Sequence, residues 1–202
     1  MMNLKNRKRR KIMCKKLKEI HDLRADDILR KYSLLKTTIG HINIVDILDF
    51  LKITYNPISF EELEKSLFLK GNDIILGMAC SKGDDVRILY SEDLDAKERN
   101  YVLAHELAHC CLHLPVSAEF HVELKTKNDI YSSFLDKPLK NNKVIKKEIE
   151  ADEFAAELLI PTMDLLNYLD ISESVSVQEI SNYFSVPELL VHKKISMLSK
   201  RN

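Results

Sequence analysis

The sequence predicts an α+β protein, mostly helical, with a small sheet and a short helical segment at the C-terminus. Three observations lead there. Two long stretches, 95–113 and 146–160, carry apolar residues at helical spacing and stop at Pro115 and Pro161. Between 74 and 90 the pattern changes to two short β-prone runs. Only four glycines occur in 202 residues, too few for a loop-heavy all-β fold.

Taken in chain order, residues 26–52 place Ile28, Leu29, Leu34, Leu35, Ile44, Ile47, Leu48 and Leu51 at helical spacing, broken near Gly40. Asn56-Pro57 reads as a turn before a helical piece at 59–67. The runs 74–80 and 86–90 read as a hairpin joined by Ser81-Lys82-Gly83-Asp84-Asp85. Asp95 and Glu98 are spaced as a capping box at the start of the helix over 95–113. A lysine- and asparagine-rich connection follows at 125–147, with Ile130, Tyr131, Phe134 and Leu135 as its apolar residues. A connection that long is functional or mobile. The helix at 146–160 comes next, and 171–202 reads as two or three short helices. The expected organisation is a basic arm at 1–24, one domain at 25–170 and a helical cap at 171–202.

Charge separates the arm from the body. Residues 1–24 hold ten Lys/Arg against two Asp/Glu, a local +8, and the remainder carries 21 against 29, or −8. A polyanion-binding protein usually spreads basic charge over its folded body, so the arm reads as a solubilising tail, with nucleic-acid binding through it as the alternative. No apolar run follows the basic residues as a secretory signal would require, and none approaches a membrane span. Cys14, Cys80, Cys110 and Cys111 fit no disulfide or metal-ligand spacing, and adjacent Cys110 and Cys111 read as small core hydrophobes. The expected compartment is the reducing cytoplasm, with no membrane partner.

Chemistry enters at His105-Glu106-Leu107-Ala108-His109. Four residues of helix turn through about 400°, so the two imidazoles stand one above the other and can share a metal ion. Glu106 reaches a water on that metal without being a ligand. Zinc would activate the water, and Glu106 would take its proton and pass it to a leaving amine. A catalytic zinc, one per chain, also needs a third protein ligand and an open position. His113 lies about 12 Å along the helix axis from His105, too far to join it, and reads as a solvated or helix-capping histidine. The helix at 146–160 offers Glu148, Glu150, Glu153 and Glu157. Glu148 and Asp152 face the same way, so Glu148 could ligate while Asp152 accepts the N–H of a metal-bound imidazole. Glu150 and Glu153 are the competitors for that place. Ala151 and Ala155 would let the two helices approach closely.

The run Asn100-Tyr101-Val102-Leu103-Ala104-His105-Glu106-Leu107-Ala108-His109, with Glu148-Ile149-Glu150-Ala151-Asp152-Glu153-Phe154-Ala155-Ala156-Glu157-Leu158-Leu159-Ile160-Pro161, resembles the ImmA/IrrE family of bacterial and phage metallopeptidases. Weaker similarity covers the strand at Gly77-Met78, so the resemblance spans roughly residues 26–165. It implies a zincin-like domain, a glutamate as third zinc ligand, and an intracellular substrate, typically a helix-turn-helix repressor of a phage or mobile element. The 38-residue gap between His109 and Glu148 is long for the family, and the basic arm is not part of its motifs.

Three further readings stay open. An edge strand of the 74–90 hairpin could pair with an extended substrate, or the hairpin could be purely structural. An oxyanion donor opposite Glu106 could be Tyr131 or His121. Residues 176–190 have the apolar spacing of a helix-turn-helix unit, followed by His192, Lys193 and Lys194. That permits an alternative in which the chain is a DNA-binding or sensor-type regulator that holds zinc without proteolysis. Against it, 171–190 contains three glutamates and no Lys or Arg.

Overall fold

A computed structural model describes residues 15–33, 42–66, 74–82, 85–115, 121–126, 143–171 and 174–200. The elements are α1 (Lys15–Ile20), α2 (Ala25–Ser33), α3 (Ile44–Leu51), β1 (Thr54–Ile58), α4 (Glu61–Ser66), β2 (Ile75–Lys82), β3 (Asp85–Ser91), α5 (Ala96–Ala108), β4 (His121–Thr126), α6 (Lys143–Leu159), α7 (Thr162–Asp170), α8 (Val177–Phe184) and α9 (Glu188–Ser199). A helical majority with one small sheet is the α+β class that the sequence predicts.

The sheet has four strands in the order β1-β3-β2-β4. β3 runs antiparallel to β2 and parallel to β1, and β4 runs antiparallel to β2 on its other side. The expected hairpin is therefore the centre of the sheet, and neither of its strands is an edge. Two strands escape the sequence reading. Asn56-Pro57 is not a turn but part of β1, with Pro57 opposite Tyr90. Proline is tolerated there because a strand paired on one side needs only half of its backbone donors. β4 lies at the head of what reads as an unstructured connection.

Local chemistry explains the helix ends. In α3 the buried Ile44, Ile47, Leu48 and Leu51 follow the i, i+3, i+4, i+7 pattern of an amphipathic helix. Asn43 caps its start and Lys52, at φ 55°, ends it in the left-handed conformation. Asp95 and Glu98 form the expected capping box of α5. Every residue of α5 from Tyr101 to Ala108 is buried, because the helix touches the sheet through β2 and β3 and also packs on α6. Ala104 and Ala108 on α5 and Ala151 and Ala155 on α6 are fully buried small residues that permit close packing.

Both ends of the chain feed this core. Residues 15–24, expected in the basic arm, include α1, whose Leu17 and Ile20 are buried, and the Asp22 N–H donates to the Cys111 carbonyl at 2.9 Å. Residues 1–14 lie outside the described residues. At the other end, Ile180, Phe184, Val186, Leu190 and Val191 belong to the same hydrophobic cluster as Leu103 and Ala151. A capping box of Ser176 and Glu179 starts α8, and Ser185, at φ 54°, ends it in place of the usual glycine. Three polar side chains tie this unit down. Lys97 Nζ donates to Ser181 Oγ (2.8 Å) and Asn182 Oδ1 (2.7 Å), and Asn100 Nδ2 donates to the Ser185 carbonyl (3.1 Å). Lys194, 1% exposed, donates to Glu157 on α6 and to Thr162 Oγ1 (2.9 Å).

Candidate metal centre

α5 and α6 together present one buried polar cluster. His105, Glu106 and His109 project from α5, and Glu148 and Asp152 from α6; all five are buried. His105 Nε2 lies 3.0 Å from His109 Nε2. The Glu148 carboxylate straddles the pair, Oε2 3.2 Å from His105 Nε2 and Oε1 3.3 Å from His109 Nε2. Taking one donor atom from each residue, the three lie within 4.8 Å of one another and could hold a metal ion. The donor set fits one. With ligand bonds of about 2.0–2.1 Å, the donors of a tetrahedral zinc stand about 3.3 Å apart, close to the separations between these groups.

The backs of the imidazoles decide which nitrogens are free. Asp152 Oδ1 lies 2.8 Å from His105 Nδ1 and accepts a 2.6 Å hydrogen bond from the Tyr101 hydroxyl. An ionised carboxylate can only accept, so His105 carries its proton on Nδ1 and turns the Nε2 lone pair toward His109 and Glu148. Burial pushes His109 down to about 4, against the opposing hydrogen bond to Glu148, so it is neutral at physiological pH. Burial beside the Asp152 carboxylate drives the Tyr101 phenol well up, which keeps it a donor. The sequence reading gives Tyr101 no role of its own, although its place one turn before His105 on the same helix face is the signal that could have found one.

α5 does not end regularly. Over His109–His113 the helix widens into a single π-turn, closed by the Leu114 N–H on the His109 carbonyl at 2.9 Å. The contacts of His113 overturn its reading as a solvated or capping residue. Its side chain is only 5% exposed, with Nδ1 2.8 Å from His109 Nδ1 and Nε2 3.2 Å from Glu150 Oε2. Glu150 thus faces His113 and not the three donor atoms, and Glu153 is exposed. Glu157 sits with Lys194 and Thr162. Of the four glutamates weighed on this helix, only Glu148 joins the described metal-capable group.

β2 supports the other side of Glu106. A β-carbon on Gly77 would lie 2.6 Å from Val102 Cγ1, 2.9 Å from Glu106 Oε1 and 3.0 Å from Glu106 Cγ. Strand and helix therefore meet at a distance only glycine allows. Of the oxyanion candidates, Tyr131 lies outside the described residues, and His121 is described only as backbone, at the start of β4. Buried Cys110 and Cys111 are free thiols, pushed well up in the first case and to about 12 in the second by burial. They behave as core hydrophobes.

The family model of the M78 peptidases, described as the IrrE N-terminal-like domain, matches residues 81–196. A search of the curated proteins finds no significant match. The matched span is more than half of the chain and takes in both helices of the metal centre as well as α7 and α8. The chain accordingly belongs to the ImmA/IrrE family of metallopeptidases, and its reaction is metal-dependent hydrolysis of a peptide bond.

Proposed function

We propose that this metallopeptidase is a zinc endopeptidase that cuts one or a few sites in a cytoplasmic regulatory protein, a helix-turn-helix repressor of a phage or mobile element. The observation that carries the zinc reading is the convergence of His105, His109 and Glu148 beside a buried Glu106. Two imidazoles and one carboxylate are a donor set suited to a catalytic zinc with an open position. When bound, zinc supplies Lewis acidity to the scissile carbonyl and lowers the pKa of a water.

The chain's own residues do the rest. Glu106 takes the proton from the attacking water and delivers it to the leaving amine, as a general base and then a general acid. Gly77 keeps the strand close enough to fix the Glu106 side chain. Asp152, held by Tyr101, keeps the His105 tautomer that leaves Nε2 free. Among the described residues β4 pairs only with β2, so its outer edge is where an extended substrate segment would add a strand. This moves the expected pairing surface from the 74–90 hairpin to residues 121–126.

Selectivity follows from burial. A centre whose ligands and base are all buried accepts an extended segment and rejects intact folded surfaces. The repressor assignment rests on the family resemblance. The cytoplasmic assignment is supported by three free thiols, Cys80, Cys110 and Cys111. No helix among the described residues is long and apolar enough to cross a membrane. The DNA-binding alternative loses support because Lys194, one of the cations of its following helix, is buried against Glu157. The test is digestion of purified candidate repressors and of casein by wild type and Glu106→Gln, with fragment masses recorded. One or two defined repressor fragments are expected from the wild type and none from Glu106→Gln, which keeps its metal. Unselective casein digestion with intact repressors would refute the regulatory substrate, and wild-type cleavage by Glu106→Gln would refute the base.

A further inference from the structure

We infer that His113, backed by Glu150, is the positioning residue for His109, doing for the second imidazole what Asp152 does for the first. The inference rests on the reading of His105, His109 and Glu148 as metal ligands. The two imidazoles of that set are not equivalent. His105 has a carboxylate 2.8 Å behind its Nδ1, whereas His109 has another imidazole at the same distance. A neutral imidazole can either donate or accept through a given nitrogen, so the proton positions must be fixed by something further along.

Following the protons outward gives one arrangement. His109 points Nε2 at Glu148 and at His105 Nε2. To offer a lone pair there, it must carry its hydrogen on Nδ1 and donate it to His113 Nδ1. His113, accepting at Nδ1, carries its own hydrogen on Nε2. That nitrogen lies 3.2 Å from Glu150 Oε2, which as a carboxylate can only accept. Reversing the chain would place a hydrogen on His113 Nδ1 and force the His109 hydrogen onto Nε2, occupying the ligand position. It would also turn a His113 lone pair toward the Glu150 carboxylate. Glu150 therefore selects the His113 tautomer, and His113 selects the His109 tautomer.

Geometry supports a dedicated device. His113 stands four residues, about one turn, beyond His109, the same spacing that sets His109 against His105. It is 5% exposed and stacked at a tilt on His109, with ring centroids 4.8 Å apart. Glu150, 42% exposed, keeps contact with water and lies 3.6 Å from Lys146 Nζ.

The experiment measures zinc affinity of the full-length chain by competition with a chromophoric chelator, in wild type and in His113→Leu, His113→Asn, Glu150→Gln and His105→Ala. Melting temperatures are read alongside. His113→Leu should bind about 10–100-fold more weakly, the range seen when an imidazole loses its outer partner. His113→Asn, whose Oδ1 sits as many bonds from the backbone as Nδ1 and can accept, should recover to within a few-fold of wild type. Glu150→Gln, still an acceptor but uncharged, should lose only a few-fold. Wild-type affinity in His113→Leu, with binding lost in His105→Ala, would overturn the positioning role and leave the metal site standing. Wild-type affinity in His105→Ala would instead overturn the metal reading itself. If His113→Leu fails to fold, nitrogen-15 NMR of the zinc-loaded wild type decides. A hydrogen on His113 Nε2 and none on its Nδ1 is expected, and a hydrogen on His113 Nδ1 overturns the inference.

Discussion

Gly77→Ala is the sharpest test of how the sheet serves Glu106, the proposed general base. The added methyl would sit 2.6 Å from Val102 Cγ1 and 2.9 Å from Glu106 Oε1. Carbon–carbon contact is comfortable only near about 3.5–4.0 Å, so helix or strand must shift by up to about 1 Å. Overpacking of this kind costs about 1–3 kcal/mol. For a chain of this length that lowers Tm by about 2–12 °C, at about 2–4 °C per kcal/mol. The kinetic effect should be larger. A 1 Å misplacement of a catalytic group costs on the order of 100-fold, and it should fall on kcat, because the nearest atoms the methyl meets belong to Val102 and Glu106 and none to a metal donor. Zinc affinity and KM should stay within a few-fold. Adding Val102→Ala removes the 2.6 Å contact but not the contact with Glu106. The double variant should therefore regain stability relative to Gly77→Ala, within the coupling expected of neighbours, yet remain slow. Wild-type kcat in Gly77→Ala, or full recovery of kcat in the double variant, would show that Gly77 serves packing alone.

Chelation should lower Tm, because ligand bound at about 1,000 times its Kd stabilises the folded state by about 4 kcal/mol, worth about 8–16 °C at this size; an unchanged melt with metal confirmed absent would contradict the site. Glu148→Ala should abolish tight zinc binding whereas Glu153→Ala, at an exposed position, should not, and the opposite ranking would transfer the ligand role. Lys194→Met should cost about 2–3 kcal/mol, below the about 3–5 kcal/mol of a fully buried pair, because the Glu157 side chain is 17% exposed. Its pH dependence has a definite sign. Burial raises Glu157, but hydrogen bonds from Lys194 and Thr162 outweigh it and hold the carboxyl below its ordinary 4.5. The pair's contribution is thus complete above about pH 4.5 and lost as pH falls through the lower folded value, so urea denaturation should show the two proteins converging in acid. A gap that widens in acid would refute the pairing.

How much of this was legible in the sequence depends on how local the signal is. The capping box at Asp95, the stop at Pro161 and the facing of Glu148 and Asp152 are set within one or two turns of helix, where spacing alone carries the information. The sheet is not local. β1 hides behind Pro57, which reads as a turn until the strand is seen to pair on one side only. β4 is six residues whose partners on β2 lie 40 to 51 positions away in sequence. The sequence reading weighed His113 only against His105, eight residues away, whereas its four-residue spacing from His109 is the signal that places it there. Tyr101 was missed for the same reason, since one turn back from His105 on the same helix places it on Asp152.

α6 explains why the C-terminal helices cannot be treated as a removable cap. One face of this helix carries Glu148 and Asp152 to the imidazoles of α5. Two residues on from Glu148, Glu150 reaches His113. Nine residues on, Glu157 receives Lys194 from α9 and the Thr162 N–H from the start of α7. The position of α6 along its own axis is thus fixed at both ends by charged contacts, and a slide of a fraction of an ångström would be felt at all of them. Removal of residues beyond 170 would strip Ile180, Phe184, Val186, Leu190 and Val191 from the core. At about 1.5–3 kcal/mol for each large side chain, that loss rivals the whole stability of a domain, about 5–15 kcal/mol. Such a truncation tests folding, not substrate recognition. The informative lesion is smaller: Lys97→Met breaks the anchor to Ser181 and Asn182 without emptying the core. If α8 and α9 only complete the fold, this variant should cleave a short peptide and a repressor with equal, small losses. If they also contact the substrate protein, repressor cleavage should fall further than peptide cleavage, and equal losses would remove that surface from the recognition site.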